Sequence, residues 1–241
     1  GSPARIARID ADSTRLQGSL QTQLAEVHAG EVDVLVGTQM VAKGHDFRRI
    51  TLVAAVNPDG ALYSSDFRAP ERLFSLLMQA AGRAGRDAGI RSRSEMWVQT
   101  FHPQHPLFEA LKRHDYPAFA EQQLRERQGA GLPPFSFQAL LRSEARTQEV
   151  AQGFLTAASA AAATDLAHLP GFDRVTVYPA VPMGMQRVAN VERAQMLVES
   201  PSRMALQTFL SHWHAVLHAT RQTPAGRGLL RWAVDVDPLA I

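Results

Sequence analysis

Short β-branched runs alternate with helical stretches through the first hundred or so residues of this 241-residue chain, and that alternation restricts the fold more than any other feature. Arg5–Asp10 (RIARID) has the pattern of a strand. Thr14–Ala29 has that of an amphipathic helix, with Leu16, Leu20, Leu24 and Val27 on one stripe, and Val32–Gly37 (VDVLVG) that of a buried strand. A turn with a short helical piece leads to a third strand at Ile50–Val56, then a loop, a helix starting at Pro70, and a fourth strand at Ser94–Thr100. Strand, helix and strand in that order predict a parallel α/β sheet, whose ligand positions are the loops at the carboxyl ends of the strands.

Between Pro106 and Gln128 the pattern is helical, holding Leu107, Phe108, Leu111, Tyr116 and Phe119. It ends at Gly129-Ala130-Gly131-Leu132-Pro133-Pro134, where two glycines and a proline pair mark a boundary. The organisation expected is therefore an α/β domain over 1–105, a helical linker over 106–131 and a second domain over 132–241. In the second domain the pattern gives strands at Ser136–Ala145, Arg174–Ala180, Arg193–Glu199 and Gly228–Val236, with helices at Thr147–Leu169 and Pro201–Thr220. That order is βαββαβ, the split arrangement of ferredoxin-like α+β domains, and it predicts architecture only. The alanine-rich Ala157–Ala163 stretch is strong helix propensity.

Composition removes several function classes. No apolar run reaches the roughly 18 residues of a membrane helix, which argues against a membrane protein. Cysteine is absent, which excludes disulfide scaffolds, thiolate metal sites and cysteine nucleophiles, and fits a reducing cytoplasm. Gly1-Ser2 opens the chain with no charged-then-apolar leader, so no targeting peptide is expected and the sequence reads as part of something longer. The pI of 9.4 reflects arginine preference: of 25 cationic residues only Lys43 and Lys112 are lysine, and the net charge is only +2. Neither half is a polybasic arm, so any nucleic-acid binding has to come from placed residues. Among nine histidines only His214 and His218 have i, i+4 spacing, without the glutamate of a zinc-hydrolase motif, so no metal ligands are expected. Trp97 and Trp232 are expected in the core, Trp213 in the core or an interface, and Met183 and Met185 in packing or loop positions near a hairpin. Tyr63 and Phe67 are expected to pack, with stacking on DNA bases as the other reading.

Two segments carry chemistry. In Gln79-Ala80-Ala81-Gly82-Arg83-Ala84-Gly85-Arg86, two arginines three apart in a glycine-relaxed turn can aim two guanidinium forks at phosphate oxygens. The other reading is a solvated helix end whose arginines meet the C-terminal dipole. Directly after the VDVLVG strand comes Gly37-Thr38-Gln39-Met40-Val41-Ala42-Lys43-Gly44-His45-Asp46-Phe47. Its amides, Thr38 and Gln39 suit a sugar-phosphate strand, and Asp46 could accept from a ribose hydroxyl or an arginine. Lys43 is not a P-loop lysine, because the order is Lys-Gly-His where a P-loop needs Gly-Lys-Ser/Thr.

These two segments, separated by DGALYSSDFRAPER, resemble motifs V and VI of superfamily 2 helicases, and in particular those of the bacterial primosomal replication-restart helicase family. Arg8-Ile9-Asp10-Ala11-Asp12-Ser13-Thr14 resembles the family's motif IV region. Leu132-Pro133-Pro134-Phe135 and the terminal Trp232-Ala233-Val234-Asp235-Val236-Asp237-Pro238 are also similar, so the likeness covers essentially the whole chain.

The resemblance implies a partial second RecA-like lobe holding motifs IV to VI, followed by a small C-terminal domain. It implies an ATP-dependent helicase that moves 3′ to 5′ on single-stranded DNA, recognises stalled and branched forks and starts reloading of the replicative helicase with other primosome proteins. Arg83 and Arg86 would face the ATP γ-phosphate, with Gln79 coupling nucleotide to DNA. Gly44, Asp46 and Gly82 would line the nucleotide side, and Thr38, Gln39 and Lys43 would touch the DNA backbone. The C-terminal domain would help bind branched DNA and the tail of single-stranded DNA-binding protein, with Arg193 and Gln195 as the partner pocket's representatives. The Walker A lysine and DExH carboxylates belong to a first lobe that no stretch here matches, so ATP and Mg2+ would be held mostly elsewhere in the parent protein and this chain alone would be inactive. The family's cysteine-rich zinc region would likewise precede this segment, leaving zinc to the parent only. A bacterial cytoplasmic, nucleoid-associated location follows. The alternative reading is a non-enzymatic DNA- or protein-binding module, an inactive helicase-like protein.

Overall fold

The computed structural model describes residues 3–9, 19–38, 50–64, 66–82 and 95–239. The chain forms two compact units, residues 1–120 and 121–241.

In the first unit β1 (Ile6–Ile9) runs parallel to β2 (Val34–Gly37), with Ile6 opposite Val34. The helix between them, α1 (Ser19–Ala29), turns Leu20, Leu24 and Val27 half inward, the stripe expected from their spacing. Arg5 and Asp33 tie the starts of the two strands: Nε and Nη2 donate to the two carboxylate oxygens at 3.0 and 2.8 Å, and the Arg5 backbone N–H adds a third bond at 2.9 Å. The Arg5 guanidinium, helped by that N–H, pulls the Asp33 carboxyl down to about 2.

A second parallel pair is formed by β3 (Leu52–Val56) and β4 (Glu95–Gln99), Leu52 opposite Glu95. Two helices lie between them in sequence, the single turn α2 (Asp59–Leu62) and α3 (Ala69–Ala81). Among the described residues the parallel strands thus form two separate pairs. Pro70 sits in the first turn of α3, where its missing N–H costs nothing. Just ahead, Asp66 accepts from the Arg68 backbone N–H at 2.9 Å and pairs with Arg72. Burial pushes the Asp66 carboxyl up, but those two arginines outweigh it and hold it below the usual range.

The stretch from 106 to 128 is two helices, α4 (Pro106–Lys112) and α5 (Tyr116–Ala130). The break is chemical: His114 takes φ +53, Asp115 accepts from the Ala118 N–H at 3.0 Å as an N-cap, and Pro117 cannot sit inside a continuing helix. Leu73, Phe74 and Leu77 of α3 meet Leu107, Phe108, Leu111 and Phe119 in one core, with Phe74 stacked on Phe119 at 4.2 Å between ring centroids. Ala55, Met96 and Val98 pack against it from one face of the β3/β4 pair. Among the described residues the other face carries no such cover, which corrects the reading of Trp97 as core: it is 60% exposed, its indole N–H donating to Glu95 at 2.8 Å.

The second unit holds β5 (Phe137–Ala145), α6 (Gln148–Asp165), β6 (Thr176–Val177), β7 (Val181–Val188), β8 (Val191–Ser200), α7 (Arg203–Arg221) and β9 (Leu229–Val236). Its antiparallel sheet has the order β6-β8-β5-β9, with β7 also on β8. This is the ferredoxin-like order, the first and third of its four strand positions central. The second position is divided: only Thr176 and Val177 pair where Arg174–Ala180 was expected, and the unforeseen β7 continues beside β8. Its register breaks between Pro182 and Arg187, and it closes through Ala189 and Asn190, both at positive φ, the signature of a type I′ turn. Met183 and Met185 lie in this strand, Met185 exposed.

Both helices carry hydroxyl caps, Thr147 accepting from Val150 N–H at 3.4 Å and Ser202 from Ala205 N–H at 3.3 Å. They cover one face of the sheet. Phe154, Leu155, Ala158 and Ala162 of α6 and Leu206, Phe209, Trp213 and Leu217 of α7 close over Ala139, Leu141, Met196 and Val198. Trp232 packs partly buried against this core, with His214 and His218 of α7 edge-on to its ring at 5.6 and 5.2 Å.

Candidate functional site

In a parallel α/β sheet ligands meet the loops at the carboxyl ends of the strands, because helix N-termini and backbone amides converge there. Thr38 stands exposed directly after the carboxyl end of β2. Gln39, Lys43, Gly44 and Asp46 lie outside the described residues, as do Arg83 and Arg86. Gln79 is exposed on the last turn of α3, where Nε2 donates to the Ser75 hydroxyl at 3.2 Å. Gly82 ends that helix in ordinary right-handed geometry, φ −66, its N–H donating to the Met78 carbonyl at 3.0 Å. A Cβ there would make only van der Waals contacts, the nearest at 3.5 Å, so Gly82 is not a conformational requirement of the turn.

The carboxyl ends of β3 and β4 are joined by a residue that sequence reasoning gave no role, Asp59. It is buried, and its carboxylate accepts from the Thr100 hydroxyl and from the Phe101 backbone N–H, the latter at 2.9 Å. Thr100 accepts in turn from the His102 N–H at 3.0 Å. The Phe101 N–H and then the Thr100 hydroxyl, with His102 and His105 adding charge, hold the Asp59 carboxyl below its usual range. The signal available in the sequence was a lone acid opening a short helix after Asn57-Pro58; its partners lie 41 and 42 residues further on.

Arg193 and Gln195 lie two apart on β8 and therefore share a face, the one opposite the helices, since the intervening Ala194 is in the core. Glu144 on β5 is opposite Arg193 and stands between two arginines: its Oε1 lies 3.9 Å from Arg193 Nε and accepts from Arg231 Nη2 at 2.9 Å. Arg142, opposite Gln195, pairs with Asp235 at 3.2 Å. Glu199, further along the same face of β8, accepts from Gln138 Nε2 at 2.6 Å, so three arginines stand against three carboxylates there.

Among the described residues no three His, Asp or Glu side chains come together to hold a metal ion, and no helix is long and apolar enough to cross a membrane. The chain has no cysteine, so its residues cannot form a thiolate zinc site.

Residues 3–88 match the helicase conserved C-terminal domain, and residues 128–239 match the primosomal protein N C-terminal domain. A parallel-stranded helicase lobe followed by a small primosomal α+β domain defines the class: a helicase-type protein of DNA replication restart. The chain is 40% identical over 234 residues to the replication restart protein PriA of Haemophilus influenzae, covering 97% of this chain and 30% of that protein. It is 36% identical to PriA of Treponema pallidum over 244 residues (98% of this chain, 34% of the relative) and 32% identical to that of a Synechocystis strain over 237 (98% and 26%). The chain belongs to the PriA family, and it spans about a third or less of the length of these relatives.

Proposed function

We propose that this chain supplies the second helicase lobe and C-terminal domain of an ATP-dependent 3′ to 5′ DNA helicase that recognises stalled or branched forks and restarts replication through primosome assembly. The observation that carries the reading is the ordered pair of family matches, helicase then primosomal, within relatives aligned over nearly the whole chain. The functional boundaries are 1–105 for the lobe, 106–131 for a helical linker and 132–241 for the C-terminal domain.

On this reading Arg83 and Arg86, next in sequence after α3, neutralise charge that grows on the γ-phosphate, with Gln79 coupling the nucleotide to DNA. Gly44, Asp46 and Gly82 border the nucleotide; Thr38, Gln39 and Lys43 hold the DNA backbone. ATP and Mg2+ are held mainly by a first lobe, and these 241 residues alone do not turn over ATP. Zinc is bound by the parent protein outside this chain. Arg193 and Gln195 receive the tail of single-stranded DNA-binding protein, and the protein works in the bacterial cytoplasm at the nucleoid.

The test is DNA-stimulated ATP hydrolysis by the complete protein with Arg86→Ala. A loss on the order of 10² or more in turnover is expected for an arginine acting on the transition state, whereas near wild-type turnover overturns its role.

A further inference from the structure

We infer that Tyr63, Phe101 and His102 form a stacking platform for unpaired nucleobases of single-stranded DNA, at the carboxyl ends of β3 and β4. The inference rests on the nucleic-acid reading above and adds a contact outside the two helicase motifs. Tyr63, expected to pack, is 64% exposed, and Phe101 is 88% exposed. The Tyr63 ring meets the His102 imidazole edge-on, 5.0 Å between centroids. A phenylalanine presented this openly leaves its apolar surface in water, which a mobile loop could avoid and this one does not, because its backbone is pinned.

The pinning comes from Asp59. Its carboxylate fixes the Phe101 N–H and the Thr100 hydroxyl, Thr100 fixes the His102 N–H, and the Asp59 carbonyl accepts from the Tyr63 N–H at 3.3 Å. One buried residue thus sets the backbone of all three ring-bearing positions. The arrangement also turns the carboxylate inward, so that rings and an imidazole, rather than an acid, face outward at this spot. His105 close by is engaged elsewhere, its Nδ1 accepting from the Leu107 N–H at 3.2 Å as the cap of α4. Exposed rings on a pinned backbone suit bases, since every base has a π-face and stacking is tolerant of sequence. An acidic peptide or an apolar helix would not need flat rings held in this way.

The experiment uses all 241 residues and a thymidine-rich single strand carrying 2-aminopurine, read by the base's fluorescence and by anisotropy. The wild-type chain should bind and quench the probe. Phe101→Ala and Tyr63→Ala should each weaken binding by about tenfold and remove the quench, with the salt dependence unchanged because no phosphate contact is lost. Phe101→Tyr should keep both, and Phe101→Leu, which keeps apolar bulk without a π-face, should lose both; the exposed position makes all of these variants fold normally. If wild-type binds and the alanine variants bind and quench equally, the platform is overturned while the nucleic-acid reading stands. A weakened variant with a shallower salt dependence also overturns it, in favour of backbone contact. A wild-type chain that binds no single strand overturns the platform, while the proposed function is judged by ATP hydrolysis in the complete protein.

Discussion

The indole N–H of Trp213 on α7 donates to the backbone carbonyl of Ala158 on α6 at 3.0 Å, inside the fully buried core of the second unit. A large ring thus fills the space between the two helices, and its single polar atom is satisfied across the same interface. Trp213→Ala should cost about 3–5 kcal/mol of that unit's stability, by cavity creation and the lost bond together. Urea unfolding monitored by circular dichroism would show it; a loss under about 1 kcal/mol would mean the helices do not depend on this contact.

Acid should loosen the first unit. Asp33 and Asp59 both have folded pKa values below the unfolded value of about 3.9. Depressed carboxyls contribute stability that is complete above the unfolded pKa and is lost as pH falls through the folded one. For Asp33, held at about 2, the loss should run from about pH 4 down to about pH 2. Thermal midpoints across that range should fall in the wild type, and Asp33→Asn should flatten part of the slope.

Two glycines should respond in opposite directions to alanine. Gly153 lies within α6, and a methyl group added there would meet nothing within 4 Å, so Gly153→Ala should stabilise by about 1 kcal/mol through helix propensity. At Gly226 a Cβ would come within 2.0 Å of the Arg221 carbonyl oxygen, in the turn that follows α7. Gly226→Ala must displace backbone and should cost about 1–3 kcal/mol or more. Denaturant midpoints of the two variants, moving apart, would check both.

Glu144 holds two arginines on the sheet face away from the helices, and removing its charge should free them. Glu144→Gln should strengthen binding of branched DNA by the chain a few-fold at low salt and steepen the salt dependence; Arg231→Ala should reduce that slope by about one. Unchanged affinity in both would separate this face from DNA binding.

Much of the architecture was written in local pattern. The four parallel strands are β-branched runs, and the helices of the second unit carry apolar residues at i, i+3 and i+4 with Thr147 and Ser202 as caps. What was hidden depended on distant partners or on mixed signals. β7 contains Pro182 and Gly184, which lower strand propensity, and it is held by β8 rather than by its own preference. Trp97 looked like core because a parallel strand is usually covered on both faces, yet among the described residues the cover lies on the Met96 and Val98 side. Arg83 and Arg86 of the QAAGRAGR segment, expected from residue type to meet phosphate, lie outside the described residues. Asp59 was not legible, since an aspartate's role as a clamp is set by Thr100 and Phe101, far along the chain.

The sheet order of the second unit also has a consequence in time. β5, made first, lies between β8 and β9, and β9 is the last of the strands to leave the ribosome. Until residues 229–236 emerge, β5 has one row of backbone donors and acceptors without its native neighbour. The nascent domain thus carries the apolar β5 at its rim until β9, with Arg231 and Asp235, takes that place, and chains halted before Leu229 should associate with one another more readily than chains that include Val236.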